Sequence, residues 1–254
     1  MKVCIFVDGE NFRHSICDLF TNEFTREDYL PKEAQWESFF DDLCDKVPWR
    51  TGDRLRTYWY AIDSVDFFPW RFPPARSETG RLRSLLRKHD PYRERLDGLE
   101  GDDLIQEMQG IVKALIDKKI AFGRRFDGWK RIHAGISSRH NSVEFRHAGG
   151  IRYDLFNSQL GEEKAVDVKL ATDLIILSST FETAILVSGD QDYVPAVQAI
   201  KDMGKRVANV SFKTRGGKLL PGGARRLNQA VDACIELTYD EFRAFMNFQE
   251  PAHG

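Results

Sequence analysis

The sequence predicts an α/β fold, a mostly parallel sheet with helices on both faces, on three observations. Residues 2–8 (KVCIFVD) and 183–188 (TAILVS) are short unbroken apolar runs. Such runs suit strands buried on both faces. Each run closes on a glycine beside an acid, Asp8-Gly9 in the first and Gly189-Asp190 in the second. Further strand-like runs alternate with segments of helical periodicity, the order that builds a parallel sheet through right-handed crossovers.

Taken in order, 2–8 is the first strand, and 11–20 places Phe12, Ile16 and Leu19 on one helical face. Residues 35–47 repeat that pattern with Trp36, Phe39, Phe40 and Leu43. Residues 54–62 (RLRTYWYAI) are aromatic and alternating, hence a strand. Pro69, Pro73, Pro74, Pro91, Gly98 and Gly101 interrupt 63–101, leaving room for a short basic helix at 79–88. Residues 103–118 repeat Leu104, Met108, Ile111 and Leu115, a helix that Asp102 or Asp103 caps. Residues 143–156 alternate weakly and predict a strand interrupted at Gly149-Gly150. The last third is cleaner: a helix at 166–179, a strand at 183–188, a helix at 193–203 stopped by Gly204, strands at 206–212 and 233–238, and a helix at 239–248. The expected organisation is one domain over 1–254 with an insertion at about 63–150.

Composition narrows the function. Hydrophobic residues make up 42% and charged residues 30%, ordinary for a globular chain. The net charge of −2 identifies no polyanionic partner by itself. Cys4, Cys17, Cys44 and Cys234 form no CxxC pair, which suggests neither a zinc site nor a disulfide framework. Reduced thiols in the cytoplasm are the expectation. No apolar stretch reaches the roughly 20 residues that cross a bilayer, and the N-terminal run is too short for a signal peptide. GxGxxG, a P-loop and a Ser–His–Asp order are absent, against a dinucleotide enzyme.

The chemistry lies at two strand ends. FVDGEN offers Asp8, Glu10 and Asn11, and LVSGDQD offers Ser188, Asp190 and Asp192. Ligands of open parallel sheets bind outside the carboxyl ends of the strands, so both clusters belong on one rim. Asp167 begins the helix that leads into the second strand and can reach that rim; Asp173 lies one to two turns further along. Crowded carboxylates stay ionised only with a cation between them. A donor set of oxygens favours Mg²⁺ or Mn²⁺, which can activate water and neutralise a phosphodiester. The bland readings are turn residues for Asp8 and Asp190, helix caps for Asp167 and Asp192, and a solvated helix position for Asp173.

FVDGENF, KAVDVKLATDLI at 164–175, AILVSGDQDYVPAVQAIKDMGKRV at 184–207 and LNQAVDACIEL at 227–237 together resemble the NYN domain, of the LabA-like branch of the PIN-like nucleases. The resemblance implies a Rossmann-like (PIN-like) sheet and Mg²⁺-dependent RNA hydrolysis leaving 5′-phosphate and 3′-hydroxyl ends. Position by position, Asp8, Asn11, Asp167, Asp190 and Asp192 match the family's acidic site, and Asp173 a further acid. Lys164 matches a basic residue placed to contact phosphate. Ala165 departs from the usual glycine, and 63–150 exceeds the usual spacer.

Residues 118–152 hold nine Lys or Arg, Lys130 and Arg131 among them, against Asp127 and Glu144, with Phe122, Phe126 and Trp129 interleaved. Exposed, that pattern would suit single-stranded RNA; turned inward, the aromatics are core. A second basic tract with Lys213, Arg215 and Lys218 is expected to form a mobile loop touching phosphate. Surface positions are the expectation for His133, His140 and His147. Single-stranded RNA is the expected partner, with no membrane; a homo-oligomer stays open. Rival readings are a non-catalytic RNA-binding module, and a DNA nuclease or phosphatase on the same rim.

Overall fold

In the computed structural model the described residues are 2–24, 29–50, 52–222 and 224–248. They divide between two compact units: Met1–Asp63 with Trp129–Gly149 and Ala165–Gly254, and Ser64–Gly128 with Gly150–Lys164. The expected insertion at 63–150 therefore does not separate cleanly. Its last part, 129–149, belongs to the first unit, and the second continues through 164.

The first unit is built on β1 (Val3–Asp8), which pairs in parallel with β2 (Arg54–Phe68) on one side and β5 (Thr183–Val187) on the other. β6 (Arg206–Lys213) continues the parallel pairing beyond β5, and β8 (Ala233–Thr238) pairs with β6. The two-residue β7 (Leu219–Leu220) pairs antiparallel with β6, and β3 (Val143–Asp154) borders β2. Alternate side chains of a strand face opposite sides of the sheet. All six residues of β1 and all five of β5 are buried, so both faces are covered.

The covering helices are α1 (Gly9–Leu19), α2 (Trp36–Asp45), α6 (Val166–Ile176), α7 (Val194–Asp202), α8 (Arg225–Ala230) and α9 (Tyr239–Met246). Phe12 of α1 meets five rings: Trp36, Phe39, Trp59, Phe212 and Phe242. Two helices and two strands thus converge on one side chain of α1. α9 starts with a capping box, in which Thr238 accepts from the Glu241 amide and Glu241 accepts from the Thr238 amide.

The second unit contains α3 (Thr79–Leu86), α4 (Asp90–Leu96), the first part of α5 (Gly101–Arg139), and β4 (Gln159–Lys164) antiparallel to the end of β3. Its core includes Leu82, Leu86, Leu96 and Met108, with Phe122 stacked on Tyr153 at 4.0 Å and His89 on Phe156 at 3.8 Å.

Several expectations change. The helix read as 103–118 runs to Arg139, and Asp102 and Asp103 lie inside its first turn. The apolar spacing continues through Phe122, Phe126, Trp129 and Ile136, all buried, so these aromatics are core and not a base-stacking surface. β2 extends to Phe68 past the polar Asp63, Ser64 and Asp66. β3 runs unbroken through Gly149-Gly150. His133 is buried, bonded to His147 and to the Tyr29 hydroxyl at 3.0 Å each. Helix 166–179 ends at Ile176 and passes into a 3₁₀ turn, Leu177–Thr180.

Candidate metal centre

The site follows from register. Val7 of β1 lies level with Val187 of β5, so the next residues, Asp8 and Ser188, emerge together at the carboxyl ends. The chain turns into α1 at once. Gly9 permits this: a Cβ there would lie 2.1 Å from the Tyr60 carbonyl oxygen. Gly9→Ala is expected to destabilise the protein by about 3 kcal/mol through that backbone clash. Urea unfolding checks it, and a loss below about 1 kcal/mol would mean that β2 yields without cost.

Asp8 is buried, 3% exposed. Its Oδ1 accepts from the Asn11 amide at 3.2 Å, capping α1, and its Oδ2 accepts from the Ser188 hydroxyl at 2.8 Å. Ser188 Oγ in turn accepts from the Asp190 amide at 3.1 Å, so a single hydroxyl links the two strand ends. Asn11 Oδ1 accepts from the Gly189 amide at 3.0 Å, a second tie between them. Asp190 Oδ1 accepts from the Asp192 amide at 2.9 Å. Tyr193 Oη lies 3.0 Å from Asp167 Oδ1 and 3.3 Å from Asp8 Oδ2. It has one proton, so it donates to one carboxylate at a time. Carboxylate oxygens of Asp8 and Asp167 approach within 4.8 Å.

The electrostatics follow from this crowding. Burial is the main cause that raises the Asp8 carboxyl to about 7; the bonds from Ser188 and Asn11 oppose it, and Asp167 and Asp190 add repulsion. Asp167 is raised too, by burial first, against its bond from Tyr193 and with Asp190 and Asp192 repelling it. Burial and the neighbouring acids push Tyr193 upward, keeping it a neutral donor.

A pH dependence follows. The unfolded chain releases the Asp8 proton near 3.8, and the folded chain holds it to about 7. The stability this group contributes is fully present below about pH 4 and is lost as pH rises through about 7. His133 works in the opposite sense. Burial, then His147 and Lys130, push it from 6.5 down to about 3, so its contribution is lost as pH falls. Comparison of wild type with Asp8→Asn in EDTA cancels the histidine. Asp8→Asn is expected to gain roughly 4 kcal/mol on wild type between pH 4 and pH 8. A pH-independent difference in urea unfolding would contradict the raised carboxyl.

The other expected residues are placed as follows. Asp190 is half-buried and Asp192 exposed; Asp190, not Asp192, caps the 3₁₀ turn Gln191–Tyr193. Asp167 is the second residue of α6, whose N-cap is Ala165 at φ 74°. Glu10 turns back to Arg13 at 2.9 Å. Asp173 is buried rather than solvated, and both its oxygens are occupied. Oδ1 accepts from Lys169 at 2.8 Å, and Oδ2 accepts from Tyr60 and Arg146. Two cations already balance it, which removes it from the expected metal ligands. Lys130 pairs with Asp63 at 3.2 Å, and Arg131 is exposed on α5. Arg215 lies 4.1 Å over the Tyr239 ring. Lys164 ends β4, in register with Gly150. Tyr193 was not foreseen; its signal was an aromatic directly after the acids of GDQDY.

The donors fit a hard divalent cation. They are all oxygens, and the strongest charges acting on the buried Asp8 are negative. Parallel strands ending together in acids, Asp8 buried and Asp190 half-buried, define an α/β protein with a carboxylate cluster at its strand ends. The NYN domain matches residues 91–238, more than half of the chain, which belongs to that family. Asp167, Asp190 and Asp192 fall inside the match; Asp8 and Asn11 precede it. Residues 63–90 of the 63–150 segment also precede it, and 91–150 lie within it. No curated protein matches the chain. Among solved structures, a protein of unknown function from Vibrio parahaemolyticus RIMD 2210633 is similar at 15% identity and a TM-score of 0.41, over 92% of this chain and 91% of that one. Among the described residues no helix is long and apolar enough to cross a membrane.

Proposed function

We propose that the chain is a ribonuclease of the LabA-like kind, hydrolysing phosphodiester bonds of single-stranded RNA with Mg²⁺ or Mn²⁺. One observation carries this reading: Asp8 is buried at a parallel strand end, faces Asp167 and Asp190, and has like charge as its strongest charged neighbours. Asp8, Asp167, Asp190 and Asp192 would hold the metal. When bound it would neutralise phosphate charge and lower the pKa of water.

The chain's own groups orient that centre. Ser188 and the Asn11 amide fix both oxygens of Asp8. Tyr193 holds Asp167 beside Asp8 while remaining protonated. Asn11 binds the Gly189 amide through its oxygen, which leaves its NH₂ to donate to water or a phosphate oxygen.

The test is incubation of the full chain with labelled single-stranded RNA, single-stranded DNA and a phosphomonoester, in Mn²⁺ and in EDTA. RNA cleavage in Mn²⁺ alone is expected. Mn²⁺ should also raise the Tm of wild type and not of Asp8→Asn. RNA binding with no cleavage in any metal would favour the non-catalytic reading.

A further inference from the structure

A second feature lies wholly within the second unit. Residues 69–88 hold six basic side chains, Arg71, Arg76, Arg81, Arg83, Arg87 and Lys88, against Glu78. In a chain of net −2 this is a strong local concentration of positive charge. Arg81 pairs with Glu78 at 2.7 Å and Arg87 with Asp97 at 2.8 Å. Arg71, Arg76, Arg83 and Lys88 have no acidic partner among the described residues. Arg83 Nε is buried without a hydrogen-bond acceptor.

Beside these charges Trp70 is 80% exposed, in a loop stiffened by Pro69, Pro73 and Pro74. Two clefts meet there. One, of about 680 Å³, is lined by Arg71, Glu78, Arg81, Ser84 and Lys88 among others. The other, of about 810 Å³ and largely apolar, is lined by Trp70, Phe72 and Ile116 among others. The segment Arg71–Pro74 walls both.

We propose that this face binds single-stranded RNA, with phosphates on Arg71 and Lys88 and an unpaired base stacked on Trp70. Five of the six basic groups are arginines, whose planar forks match phosphate. A large exposed aromatic among guanidinium groups suits bases and phosphates alternating along a strand. In a duplex the bases are stacked on one another, which leaves no face for Trp70. The proposal rests on RNA being the substrate. It assigns strand binding to residues other than the carboxylates, so its loss should raise KM and leave kcat.

Fluorescence anisotropy tests it, with a labelled 20-nucleotide single-stranded RNA and the full chain in EDTA. Trp70→Ala is expected to weaken binding about tenfold with an unchanged salt slope, and Trp70→Phe to restore most of it. Arg71→Glu with Lys88→Glu is expected to weaken it further and to lower the slope of log affinity against log salt by about 1.4, about 0.7 per phosphate lost. Thermal melts matching wild type would show that the variants fold. Unchanged RNA affinity in both would overturn the proposal and leave this face to a protein partner. Because EDTA removes any need for cleavage, RNA bound here but never cut would sink the ribonuclease reading alone. RNA cut normally, with affinity unmoved by the variants, would sink this surface alone.

Discussion

Asp8→Asn is expected to cut Mn²⁺-dependent RNA cleavage about a thousandfold while stabilising the metal-free protein at pH 8. The loss corresponds to several kcal/mol of transition-state charge stabilisation, the scale of a metal ligand's contribution. The gain has the opposite sign for a physical reason. At pH 8 the wild-type carboxyl, with a pKa of about 7, is mostly ionised, buried and facing two further acids. Asparagine keeps the shape, can still accept the Asn11 amide, and carries no charge to desolvate. Activity and urea unfolding on the same preparation separate this outcome from misfolding, which would lower both. Wild-type cleavage by Asp8→Asn would remove the carboxylate centre from the chemistry. A loss of stability at pH 8 would mean that Ser188 and Tyr193 depend on the charge more than burial opposes it.

Phe12→Ala is expected to cost about 3–5 kcal/mol of stability, the range for truncating a buried aromatic. Phe12 is 1% exposed, and the five rings around it come from α2, β2, β6 and α9. Those elements are fixed by their own pairings, so the cavity closes only in part. In a chain of 254 residues the loss lowers Tm by about 10 °C. Calorimetry checks it, and a cost below about 1 kcal/mol would mean that the ring cluster repacks around the gap. Phe12 follows Asn11 but faces the core, so RNA cleavage at 20 °C should fall far less than in Asp8→Asn.

β1 and β5 were legible in the chain because a strand buried on both faces needs an unbroken apolar run, and few other structures demand one in so few residues. Their shared ending in acid and glycine made the rim legible too. Elements whose signal is diluted were not. The second half of α5 keeps its apolar spacing from Phe122 to Ile136, but its glycines and basic residues resemble a loop. β4 has no buried residue and is held extended by its pairing with β3, and polar strands have no periodicity to read.

By itself, then, the sequence determined the α/β class, the two buried strands and the acids at their ends, since burial and chain direction are written locally in residue type. Tertiary structure decided which of the expected acids lie together and which is neutralised. The shared register of β1 and β5 sets Asp8 beside Ser188, and Tyr193, just beyond β5, bonds both Asp8 and Asp167 of α6. Asp173, of the same chemistry and on the same helix as Asp167, is neutralised by Arg146 and Lys169. The charge of a carboxylate is set by what surrounds it within a few ångströms, and those neighbours come from distant parts of the chain.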